Sequence, residues 1–212
     1  MGYPGGKNRE YLQKIHMNKT IIYFLRHGEV ENPRQILYGR LAGFRLSEMG
    51  RKRIHEVVQE LKDKKIDCLY TSPLLRARET GRIMNEILHL KPKISSLLLE
   101  TKLLPEGISL EIFKKDIQPH MYDDKYVKQG QESIQTQGER MFQFVRLIQK
   151  RHEGKTVLTI SHGDPIMILK AKLMGVPFTW EFKRANYLQP GHFITLICQD
   201  DKYSWEELQY YE

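Results

Sequence analysis

Short apolar runs, each separated from the next by a stretch of helical periodicity, constrain the fold of this chain more than any other feature. Ile21, Ile22, Tyr23, Phe24 and Leu25 form the first run, rich in the β-branched and aromatic residues that suit a pleated, buried surface. The pattern predicts strands at residues 20–25, 67–71, 94–99, 156–160 and 193–198. Between them, Ser47 is placed as a helix N-cap, and Ile54, Val57, Val58 and Leu61 recur at helical spacing behind it. Pro73 suits the first turn of a second helix reaching about residue 88. Residues 131–151 and 165–174 predict two more. Strands alternating with helices imply an α/β fold: a three-layer sandwich whose mostly parallel sheet is flanked by helices. Residues 106–131 mix Pro119, tyrosines and lysines without a clear period and are expected to form a lid-like insertion.

A chain of 212 residues with 40% hydrophobic and 28% charged content suits one globular domain with a substantial core. That domain is expected over residues 17–212. Residues 1–16 carry Lys7, Arg9 and Lys14 but no apolar stretch, and are expected to be a leader or flexible arm. The apolar runs fall far short of the roughly 18 residues a membrane-spanning helix needs, so no membrane partner is expected. Cys68 and Cys198 belong to no paired motif and read as reduced thiols, which fits a cytoplasmic location. The formal net charge of +8 favours anionic partners. Its lysines are scattered rather than interleaved with aromatics, so nucleic acid is not singled out and a small phosphorylated substrate explains the sign equally well. Oligomeric state is not legible.

Two of the predicted strands end in similar words. The first runs into Arg26-His27-Gly28-Glu29 and the later one into Ser161-His162-Gly163-Asp164. Ligands of open α/β sheets bind beyond the carboxyl ends of the strands, which is where both His-Gly pairs fall. Pro165 follows as a helix start, so helix amides would face an anion there. The second strand leads into Thr71-Ser72-Pro73-Leu74-Leu75-Arg76. Three strand ends thus deliver Arg26, His27, Arg76 and His162. Guanidinium forks beside imidazoles match a phosphoryl group, because arginine binds its oxygens in bidentate fashion and stays charged. Any one of these words alone has a bland reading: a lone histidine near a strand is more often structural, and a helix arginine is usually solvated. Their joint placement carries the weight.

On these residues the chain resembles the histidine phosphatase superfamily, with its phosphoglycerate mutase-like fold. Further matching words are Tyr38-Gly39-Arg40, Leu46-Ser47-Glu48-Met49-Gly50, Ala77-Arg78-Glu79-Thr80 and Asp164-Pro165, all in family order. The resemblance implies phosphomonoester hydrolysis through a phosphohistidine on His27, with Arg26, Arg76 and His162 holding the phosphoryl oxygens. It also implies a carboxylic acid after the third strand. Leu104-Pro105-Glu106 fits the family's word form and makes Glu106 the expected acid; Glu100 is the competitor, at the more usual distance from Thr80. Asn32 and Tyr38 stand in the loop where the family places phosphate-contacting groups, and Gly163 is expected to offer an amide. No cofactor is implied. No metal site is expected either, since the histidines lack ligand spacing and Arg26 would repel a cation. Phosphoglycerate mutase activity is the first alternative. Against it, Val30-Glu31-Asn32-Pro33 replaces the Trp-Asn word of true mutases. A non-hydrolytic phosphate-binding module is the second.

Overall fold

The computed structural model describes residues 19–206; the expected leader at residues 1–16 lies outside them. Six strands form one sheet: β1 (Lys19–Arg26), β2 (Cys68–Thr71), β3 (Lys93–Ile94), β4 (Thr156–Ser161), β5 (Phe193–Gln199) and β6 (Lys202–Glu206), in the order β3-β2-β4-β1-β5-β6. β1 pairs parallel with β4, β4 with β2 and β2 with β3, whereas β5 is antiparallel to both neighbours. One strand is therefore reversed in an otherwise parallel sheet. The helices are α1 (Glu48–Leu61), α2 (Leu75–Leu88), α3 (Leu110–Ile112), α4 (Asp124–Lys128), α5 (Ile134–Arg151), α6 (Gly163–Met174) and α7 (Trp180–Ala185). None is long and apolar enough to cross a membrane among the described residues.

The period of two in β1 builds the layers. Ile22 and Phe24 join Phe144 and Val145 of α5 and Ile166 and Leu169 of α6 in one core. Tyr23 and Leu25 point the other way, into a core with Ile54, Val57 and Val58 of α1 and Ala77 and Met84 of α2. A third, smaller cluster gathers Leu103, Phe113 and Met121 with Leu37, Leu110 and Trp180, over one end of the sheet.

Several element bounds depart from expectation for local reasons. The strand expected at 94–99 stops at Ile94, and a 3₁₀ turn follows at Ser96–Leu98. Ile94 is 60% exposed at the sheet edge, so the chain turns inward and buries Leu98 completely. Ser72 N–H still bonds Ile160 O at 3.0 Å, which delays the next helix. Leu74 becomes its N-cap and Pro73 stays outside the first turn. α5 starts at Ile134 because Ser133 Oγ accepts the Thr136 N–H at 3.0 Å. Ser47 caps α1 as expected, accepting from Gly50 N–H at 2.9 Å. α7 and β6 have no counterpart among the expected elements.

Candidate active site

Parallel pairing puts the carboxyl ends of β1, β2 and β4 on one edge of the sheet. The ladder runs one residue further there, with His27 N–H bonded to Ser161 O at 3.1 Å. The reversed strand β5 begins at this edge, so residues 187–192 arrive beside the histidines. Gly191 N–H reaches the carbonyls of both Arg26 and His27, each at 3.1 Å.

The protonation of His27 follows from its partners. Nδ1 lies 2.7 Å from Gly28 O, and a carbonyl can only accept, so Nδ1 carries the proton. Nε2 then keeps its lone pair and accepts from Arg76 Nε–H at 3.1 Å. Burial first, and the charges of Arg76 and Arg26 next, hold this imidazole well below its ordinary 6.5. His27 is thus a neutral base whose reactive nitrogen faces a cation, as a nucleophile toward phosphorus requires.

His162 is oriented the other way. Its Nε2 meets Ser72 Oγ at 2.8 Å, while that oxygen also accepts from Leu74 N–H at 3.4 Å. When the hydroxyl donates to Nε2 the ring proton sits on Nδ1, and that nitrogen is buried with no hydrogen-bond partner among the described residues. Arg26 Nε is a second buried donor in the same condition. In that tautomer both are orphaned donors of the kind an anion satisfies, because native proteins rarely leave such groups unmet. The two histidine rings lie 5.1 Å apart between centroids.

Each arginine is backed by a tyrosine. Arg76 Cζ sits 4.9 Å over the Tyr38 ring and Arg26 Cζ 5.0 Å over Tyr187. Backbone carbonyls fix the forks: Arg76 Nη2 donates to Gly39 O at 2.8 Å and Arg26 Nη1 to Leu188 O at 2.7 Å. Gly163 lies close against Arg26: a Cβ there would stand 3.2 Å from Arg26 Cζ, so the guanidinium would have to give by a few tenths of an ångström. Its N–H is also the first of α6, a helix whose amino end opens on the same cavity. Tyr38 therefore lines the site from beneath an arginine, stacked on Phe44 with centroids 5.0 Å apart.

Two expected residues point elsewhere. Glu106 spends Oε1 on Arg40 N–H at 2.7 Å, and it does not line the cavity. Glu100 does: its Oε2 stands 3.8 Å from His162 Nδ1 and 3.9 Å from Arg76 Nη2. The inward turn at Ser96–Leu98 carries it there, so the carboxylate at the spacing from Thr80 faces the histidines and the one picked by word form does not. Burial and then the charge of Asp164 raise the Glu100 carboxyl above its ordinary 4.5, against the pull of Arg76. Asn32 uses both ends of its amide on Ile36, donating to O at 2.8 Å and accepting from N–H at 3.2 Å, and so braces its own loop.

Further groups complete the cavity, of about 620 Å³. Asp164 accepts from Tyr122 Oη and from Lys183 Nζ, each at 2.7 Å. Burial pushes the Asp164 carboxyl up, but Lys183 and the Tyr122 bond outweigh it and hold it below 3.8. Asp164 was visible beside the second His-Gly pair; Lys183 and Tyr187 carried no signal, because they lie on segments without a motif.

His27, Glu100 and His162 bring one potential metal-ligand atom each within 4.8 Å of one another. Charge opposes a cation there: Arg76 donates to the His27 nitrogen that would have to bind it, and Arg26 shares the cavity.

The profile of the histidine phosphatase superfamily (branch 1) matches residues 22–210. An uncharacterized protein of Mycobacterium tuberculosis is 48% identical over 63 residues, 30% of this chain and 31% of that protein. The chain thus spans under a third of the length of the first curated relatives it matches. Phosphoserine phosphatase 1 of Hydrogenobacter thermophilus is 29% identical over 174 residues, 76% of this chain and 80% of that one. The solved structure of Bacillus stearothermophilus YhfR superposes with a TM-score of 0.78 at 24% identity, covering 87% of this chain and 94% of the other.

Proposed function

From the premise that this chain belongs to the histidine phosphatase superfamily, we propose that it hydrolyses phosphomonoesters by way of a phosphohistidine on His27. The observation that carries this reading is the pair of donors, Arg26 Nε and His162 Nδ1, buried without partners beside a neutral His27. A phosphoryl group placed among them meets both donors, the Arg76 fork and the amino end of α6. Those groups offset charge on its equatorial oxygens. His27 Nε2 attacks phosphorus, forming an N–P bond as the ester P–O bond breaks. Glu100, protonated, gives its proton to the leaving alkoxide. The imidazolium formed keeps its Nδ1–H on Gly28 O. In the second half, the Glu100 carboxylate takes a proton from water as that water's oxygen attacks phosphorus. The N–P bond breaks, phosphate leaves and His27 is neutral again. In the same reading, residues 106–131 form a lid over the leaving-group end.

Glu100→Gln is expected to reduce alkyl phosphate turnover on the order of 10²-fold or more, the scale of a positioned acid. Phosphorylation of the enzyme by p-nitrophenyl phosphate should suffer far less, because nitrophenolate departs unaided. Glu106→Gln is expected to retain most activity. The opposite ranking of the two variants, read by phosphate release, would return the acid role to Glu106. His27→Ala should abolish acid-labile, base-stable labelling. No step involves a metal, so hydrolysis is expected to survive exhaustive chelation; loss restored by a divalent ion would contradict the mechanism.

A further inference from the structure

The cavity changes character away from the phosphate-binding edge. Leu110, Phe113 and Trp180 line that far part together with Leu37, Leu103 and Met121. The same side chains make up the third hydrophobic cluster, in which Phe113 is 6% exposed. A volume of about 620 Å³ lies in the range, roughly 300–1,000 Å³, that encloses a drug-sized ligand. It far exceeds what a phosphoryl group on a three-carbon acid fills.

The charges nearby do not call for a second anion. Lys183 is already spent on Asp164 at 2.7 Å, and it lies 5.0 Å over the Trp180 ring. Arg184 pairs with Glu181 at 3.6 Å, both of them exposed. Lys114 is exposed and stands at the rim. A carboxylate-bearing leaving group, such as serine, held inside the cavity would have to compete with Asp164 for Lys183 or rest on apolar side chains, each of which costs binding energy, while the exposed Lys114 and Arg184 offer it only a solvated contact.

Resting on the phosphatase reading above, we propose that the substrate's leaving group is an uncharged alcohol with an apolar, ring-bearing body, packed against Leu110, Phe113 and Trp180. Its hydroxyl oxygen points toward Glu100 and its body lies beneath residues 110–121.

Non-hydrolysable phosphonates test the pocket without turnover. Calorimetry on the wild-type protein should give phenylpropyl phosphonate a Kd about tenfold or more below that of propyl phosphonate, the scale of burying one ring. Carboxypropyl phosphonate should bind no tighter than propyl phosphonate. Phe113→Ala and Trp180→Ala should each shrink the phenyl preference toward unity, the second serving if the first disturbs the cluster. Tightest binding by the carboxylate, equal binding by all three, or binding by none overturns the proposal. Separate assays of phosphate release from phenylpropyl phosphate keep the two readings apart. Phenyl-selective binding without turnover sinks the hydrolytic mechanism and leaves the pocket assignment standing. Turnover with no phenyl preference does the reverse.

Discussion

Arg76 and Arg78 share α2 but not its environment. The first is 1% exposed with Nε on His27; the second faces solvent. In the proposed mechanism Arg76→Ala removes a charged donor from the transition state and is expected to lower kcat/KM on the order of 10²-fold or more. Arg78→Ala should stay within a few-fold. Equal losses would mean that the phosphate lies elsewhere. Both arginines and both histidines were legible as residues, because strand ends of an α/β sheet converge and the words there repeat. Which carboxylate faces them was not, since two glutamates six positions apart sit in a stretch whose path depends on burying Leu98. Only the fold decides which carboxylate that inward turn delivers. Asn32 is tied locally for a related reason: its amide bonds the backbone of Ile36 at both ends and braces its own loop.

The junction of β1 with α2 rests on Thr80. Its Oγ1 accepts from Gly28 N–H at 3.2 Å and donates to Arg76 O at 2.9 Å, with no exposure. Thr80→Val keeps the shape and orphans a buried amide next to His27. The expected cost is about 1–3 kcal/mol in urea unfolding, together with a lower kcat. An unchanged midpoint would show that the Gly28 amide finds another partner. Elements with strong periodicity, such as β1 and α1, could be read from the chain almost to the residue. β6 escaped because its residues alternate between exposed and half-buried, with Lys202 and Glu206 at its ends. α7 escaped because six residues are too few to show a period. Residues 110–128 break into short turns whose order comes from covering Leu103 and Met121, a tertiary cause that no local pattern carries.

Across the whole molecule, two imidazoles are held neutral in the interior. His27 and His162 are both pressed well below 6.5, chiefly by burial and then by the neighbouring arginines. A group whose folded pKa is depressed adds stability above its unfolded pKa and loses it as pH falls below. Unfolding should therefore become easier from about pH 6.5 downward, by up to about 1.4 kcal/mol per group per pH unit. Thermal scans between about pH 7 and pH 5 should show a falling Tm, and His162→Gln should flatten the slope. A Tm level over that interval would contradict neutral burial. The reversed strand β5 has a different consequence. It brings Leu188 to hold Arg26 across 162 positions of sequence, so the candidate site joins nearly the first described residues to nearly the last. During synthesis His27 leaves the ribosome early, but the carbonyl that steadies its neighbour leaves late. A nascent or clipped chain ending before Leu188 carries both histidines but lacks the carbonyl that holds Arg26 here.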